Sequence, residues 1–158
     1  MNKLSHPFLL LASLSIVLMT GASCVRPITP VPATATPANS IQNIIWEWTN
    51  MTDQSTSNTT TVPNPQDYTI TFRADGTLNG KADCNPFTGV YAQEAGFSIT
   101  IGASTLAACG DASLDQQYLQ LLSAIAAGGP DGAGNLALET AGGAQRMLFK
   151  NGGEAPAP

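Results

Sequence analysis

Apolar and polar residues alternate without a break over Tyr68-Thr69-Ile70-Thr71-Phe72, and this period of two predicts a β-strand. The same period over Ile44-Ile45-Trp46-Glu47-Trp48 places Ile44, Trp46 and Trp48 on one face. Ala74-Asp75-Gly76 predicts a hairpin turn, because glycine supplies the positive φ that tight turns need. Thr77–Cys84 is then a returning strand with Leu78, Gly80, Ala82 and Cys84 on one face. Asn85–Gly89 predicts the next turn, and Val90–Gln93 and Phe97–Ile101 two further strands. Leu136–Thr140 and Gln145–Lys150 predict a closing hairpin across Ala141–Ala144. Asp53–Gln66, polar and closed by Pro63 and Pro65, predicts a long loop.

The period changes once. Leu114, Tyr118, Leu121, Leu122 and Ile125 form one stripe of an α-helix. Ser113 and Gln116 fit a capping box at its start, and Gly128-Gly129-Pro130 predicts its stop. One helix cannot build a βαβ array. The expected fold is therefore α+β, mainly β: an antiparallel meander curled into an open, barrel-like sheet with one packed α-helix.

The segments outside this pattern predict a location. Phe8–Met19 is an apolar run of about 18 Å as a helix, short of a hydrocarbon core of roughly 30 Å. With Lys3 before it and Gly21-Ala22-Ser23 after it, residues 1–23 are expected to be a signal peptide. Cys24 follows at the place of a bacterial lipobox cysteine, although Gly21 stands where that pattern usually has Leu. The expectation is lipidation of Cys24 and a membrane anchor; plain cleavage at Ala22 or Ser23, followed by secretion, is the alternative. Residues 24–40, with Pro27, Pro30, Pro32 and Pro37, predict an extended tether reaching up to about 45 Å. The folded domain is expected over 41–150 and a disordered tail over 151–158.

Loss of residues 1–23 removes Lys3 and His6, the one histidine. Five Lys and Arg then face eleven Asp and Glu, a formal charge of −6. This excludes nucleic acid as an expected partner, since phosphate binding needs clustered cations. A chain without imidazole lacks the usual general base, and neither a Ser-His-Asp nor a Cys-His arrangement is possible. Two distant cysteines do not supply four zinc ligands. No enzyme activity, cofactor or metal is expected.

Cys84 and Cys109 lie 25 positions apart. An exported setting permits a disulfide between them. Two separate buried thiols, or a redox pair activated by a nearby cation, are the other readings. Asp75, Asp83, Asp111 and Asp115 lie near turns or the helix start and are read as turn and helix-dipole residues. Gly128–Asn135 lacks the Lys-Ser/Thr ending of a phosphate loop and reads as a connector. Trp46, Trp48, Phe87 and Tyr91 are candidate ligand contacts, with core packing as the other reading.

Several segments resemble the META/HslJ-like domain family of bacterial envelope proteins. In order, they are Trp46, Phe72-Arg73-Ala74-Asp75-Gly76, Gly80-Lys81-Ala82-Asp83-Cys84-Asn85, Gly89-Val90-Tyr91 and Ser104-Thr105-Leu106-Ala107-Ala108-Cys109. Asp83 departs from the glycine that often precedes the cysteine, and Ala107 from a common Met. The resemblance implies a β-rich fold with a helix packed on the sheet and roles tied to envelope stress, without a defined reaction. The expected function is a non-enzymatic exported lipoprotein carrying a binding or envelope stress-protection module. It would be a monomer on the periplasmic or extracellular face, with an envelope protein, a peptide or a small apolar ligand as partner. The alternative is a pilot-like or chaperone factor that takes an apolar peptide or lipid tail into an open barrel.

Overall fold

The computed structural model describes residues 40–157; the expected signal peptide, Cys24 and nearly all of the tether lie outside them. The strands are β1 (Ile44–Asp53), β2 (Thr59–Thr61), β3 (Tyr68–Phe72), β4 (Thr77–Ala82), β5 (Asn85–Ala92) and β6 (Ser98–Ser104). Helix α1 (Asp115–Ser123) follows, then β7 (Ile125–Pro130), β8 (Leu136–Thr140) and β9 (Gln145–Glu154). Neighbours pair in the order β6-β5-β4-β3-β1-β9-β8-β7, every ladder antiparallel, with β2 beside β1. The fold is mainly β, an antiparallel sheet curled into a half-barrel with one short helix.

Curling brings the two free edges together at one point, where the Phe97 N–H donates to the Ala126 carbonyl at 3.1 Å. Helix α1 packs against β6 and β4 and turns Tyr118, Leu121 and Leu122 inward, which covers edges that would otherwise invite pairing. Trp48, Phe72, Phe87, Tyr118, Leu138 and Phe149 fill the interior and are closed to solvent.

Local signals failed where packing overrode them. Asn85–Gly89, expected as a turn, opens β5: Gly89 faces Leu78 and Gly80 faces Phe87 across the β4–β5 ladder. A Cβ on Gly80 would run into the Phe87 ring and the Thr69 carbonyl oxygen, so the glycine is the socket for the aromatic ring. The helix stops at Ser123, ahead of the expected Gly-Gly-Pro, because Ile125–Pro130 is recruited as β7. There Gly128 admits Leu138, whose Cδ2 would lie 2.5 Å from a Cβ at that position. Only half of the expected capping box forms: Ser113 Oγ accepts the Asp115 N–H at 3.2 Å, without a return bond from the Gln116 side chain among the described residues. Leu114 stands at the N-cap with no side-chain cap, and the Leu114 N–H donates instead to the Tyr68 hydroxyl at 2.9 Å. The loop after β1 holds strand β2, since β1 runs on to Asp53 and offers it an edge.

The expected disordered tail is ordered in its described part. Strand β9 continues to Glu154, paired with Ile44; Ala155 is buried and its N–H donates to the Asn43 carbonyl at 2.9 Å. The start of β1 supplies that edge. Residues 41–43 join here as well, with the Asn43 N–H on the Phe72 carbonyl at 2.9 Å. Both ends of the domain therefore meet at the β3–β4 hairpin. Cys84 leaves β4 at its other end, about 20 Å away for a six-residue strand.

Candidate functional site

Two of the sequence segments that carried the family resemblance meet at that far end. Strand β4 stops at Ala82, and Asp83 turns the chain with φ at +58°. This left-handed conformation favours glycine; Asp83 adopts it, and its Oδ2 accepts the Tyr68 hydroxyl at 3.2 Å. Cys84 follows, disulfide-bonded to Cys109 with Cα atoms 5.6 Å apart.

Asn85, 2% exposed, is the hub. Its Oδ1 accepts the Thr105 hydroxyl and the Ala107 N–H, both at 2.8 Å. The two hydrogens on Nδ2 are shared among the Ala107 carbonyl at 3.0 Å, Cys109 Sγ at 3.1 Å and Asp115 Oδ2 at 3.1 Å. One side chain thus ties β5, the 105–109 loop and the start of α1 together. A buried amide with both ends satisfied stabilises and orients what it joins. Sequence reading assigned this residue no site role; it stood in an expected turn and closed the Gly80–Asn85 segment of the family resemblance.

Between the loop and the helix lies an open depression of about 400 Å³, lined in part by Asn85, Leu106, Cys109, Asp111, Asp115 and Leu119. Leu106 stands on its rim with 95% of its surface exposed. A larger depression of about 750 Å³ lies at the hairpin end, lined in part by Asn43, Arg73, Asp75, Asn79 and Thr88. Arg73 is already engaged there, donating to the Pro156 carbonyl at 2.9 Å and to Asn43 Oδ1 at 3.4 Å. Asp75 accepts the Thr77 hydroxyl at 2.6 Å and its N–H at 2.9 Å. These bonds, the hydroxyl first, hold its carboxyl below the usual range, as turn chemistry requires.

The four candidate aromatic contacts do not converge on a groove. Trp46, Trp48 and Phe87 are core, 3%, 0% and 2% exposed. Half-buried Tyr91 stacks near Phe97 and bonds to the Arg73 carbonyl and the Gln42 amide. Their inward pleat positions made them core residues. Among the described residues no three His, Cys, Asp or Glu side chains cluster as metal ligands would.

Tyr118 is the unusual member of the core. It stacks on Trp48 with ring centroids 5.2 Å apart and meets Tyr68 and Phe87 edge-on. Its hydroxyl is fully buried without a hydrogen-bond partner among the described residues, and burial pushes its ionisation well above the ordinary tyrosine value. Because an unpaired buried hydroxyl costs free energy, Tyr118→Phe is expected to leave stability unchanged or raise it by about 1 kcal/mol. A loss of that size in denaturant unfolding would show that the hydroxyl has a partner after all.

A family model described as META domain matches residues 39–153. No curated protein matches the chain. Among solved structures, a crystal structure of a duf4847 family protein from Bacteroides vulgatus is similar, with a TM-score of 0.55 at 14% identity, over 70% of this chain and 93% of that one. An NMR structure of a protein from Burkholderia xenovorans has a TM-score of 0.56 at 19% identity, over 80% of this chain and 98% of that one. At such identities the likeness is one of fold.

Proposed function

The chain belongs to the META domain family, and from that premise we propose that it is a non-enzymatic exported lipoprotein, anchored through Cys24, whose disulfide end docks on an envelope partner that is both apolar and basic. The observation that carries this reading is Leu106. It is 95% exposed on a loop whose neighbours Thr105 and Ala107 are both bonded to Asn85. An apolar side chain held out by a pinned loop loses little conformational freedom when it is covered.

Three further features support the reading. The disulfide belongs to oxidising compartments. Within the described domain, the Leu106 loop lies at the opposite end of strand β4 from Asn43, where the described chain begins. The disulfide end is also acidic: Asp83 precedes Cys84, and Asp111 and Asp115 line the depression beside the loop. Lys81, at this same end, is neutralised by Asp67 at 2.8 Å, and Lys150 pairs with Glu47 at 3.0 Å. A cationic partner is steered to the disulfide end.

Uptake of an apolar tail into the barrel is the weaker reading. Trp48, Tyr118, Phe149 and Leu138 fill the interior. A depression of about 200 Å³ on the helix's other side is lined largely by glutamines, among them Gln117, Gln120 and Gln145.

A photoreactive residue placed at Leu106, and separately at Ala74 of the hairpin, in the full chain in its native envelope tests the docking end. Adducts with a basic partner are expected from position 106 alone; equal adducts from both positions overturn the assignment. Cys24→Ala is expected to move the protein out of the membrane fraction, and retention there overturns the anchor.

A further inference from the structure

The Cys84–Cys109 bond is chemically lopsided. Cys84 is exposed and Cys109 half-buried. Cys109 Sγ accepts the Cys84 backbone N–H at 3.3 Å and Asn85 Nδ2 at 3.1 Å. The amide orientation is settled by the Ala107 N–H, which must point at the oxygen Oδ1. Both sulfurs also face the Ala107 carbonyl, 3.9 Å from Cys84 Sγ and 3.5 Å from Cys109 Sγ. That oxygen gives neither sulfur a donor, so the two N–H groups on Cys109 make the difference. Donors aimed at a sulfur stabilise its thiolate and make it the better leaving group. No cation is needed for this.

We propose that this bond is a directional thiol–disulfide exchange site, attacked at Cys84 and releasing Cys109, with an exported dithiol protein as its reaction partner. A thiolate of the partner attacks exposed Cys84 Sγ. The new S–S bond forms as the Cys84–Cys109 bond breaks, and the electron pair of the broken bond stays on Cys109 Sγ between its two N–H donors. The partner's second thiol, as thiolate, then displaces Cys84. The partner leaves as a disulfide, oxidised by two electrons. Cys84 and Cys109 are left reduced, taking up the two protons the partner's thiols gave up. Run backwards, the same steps oxidise the pair. The loop keeps its place through either direction, since the Thr105 and Ala107 bonds to Asn85 do not involve sulfur. The exchange does not depend on the docking reading above and is tested separately from it.

The test uses the full oxidised chain with a limiting amount of reduced glutathione at neutral pH, followed by acid quench, alkylation and peptide mass spectrometry. Glutathione is expected on Cys84 at least tenfold more often than on Cys109, with the alkyl label on Cys109. Equal adducts, a preference for Cys109, or no reaction until denaturant is added would each overturn the proposal. Asn85→Asp retains an acceptor oxygen and removes the amide donor; in variant protein that still melts cooperatively, the preference for Cys84 is expected to fall at least threefold. An unchanged preference in that folded variant removes Asn85 from the mechanism.

Discussion

Trp48→Ala is expected to cost about 4 kcal/mol of folding stability. The indole is wholly enclosed, stacked on Tyr118 at 5.2 Å and edge-on to Tyr68 at 5.8 Å. Its Nε1 donates to the Asn50 carbonyl at 2.8 Å. Alanine would open a void between sheet and helix that the β1 backbone, paired with β3 on one side and β9 on the other, cannot close. A domain of this size has about 5–15 kcal/mol in all, so the variant is expected to keep only about 1–11 kcal/mol. Urea unfolding followed by far-UV circular dichroism measures the loss; a cost under about 1 kcal/mol would mean the half-barrel does not need its central aromatic stack.

The paired substitution Cys84→Ser with Cys109→Ser is expected to cost about 3.5 kcal/mol, from the entropy returned to an unfolded chain freed of a 25-residue loop. The melting temperature is expected to drop by roughly 10 °C or more. The native topology is expected to survive, because Asn85 holds Thr105 and Ala107 without help from sulfur. Calorimetry of the oxidised, reduced and doubly substituted chains checks this. Coincident melting of the three would show that the crosslink constrains nothing, whereas loss of cooperative melting in the substituted chain would show that Asn85 alone does not hold the loop.

The elements legible in the sequence are those whose side-chain pattern is a direct image of burial. Tyr68–Phe72 and Leu136–Thr140 are strands with the expected bounds, since each presents a nearly unbroken apolar face to the core. Gly80 was read as a strand residue and is one, but Gly89, expected in a turn, was not legible as part of β5. Glycine is a poor strand former on its own, and only Phe87 and Leu78 arriving across the ladder give it a purpose. Ser113 carried a local capping signal and keeps part of it, its Oγ accepting the Asp115 N–H at 3.2 Å; the bond from the Leu114 N–H to Tyr68, a residue 46 positions away, had no local signal. At the candidate site, the cysteines were visible as a pair with three possible fates. The Asn85 network was invisible, because its partners at 105, 107, 109 and 115 are adjacent to it only once the sheet has curled.

The sequence by itself determined that this is a β-rich chain with one amphipathic helix, that its last two cysteines lie far enough apart to bridge, and which family it resembles. The strands and the helix are written in periods of two and of about 3.6 residues, and local periodicity needs no partner to be read; the family resemblance rests instead on the ordered short motifs. Only the tertiary structure decided that Cys84 and Cys109 join, that the aromatic residues face inward, that Leu106 stands exposed beside the crosslink, and that this end lies opposite the chain's entry point. Each of those outcomes depends on contacts between residues tens of positions apart. Their packing energies, several kcal/mol at a single buried ring, outweigh the fractions of a kcal/mol by which one residue prefers a turn, a cap or a strand.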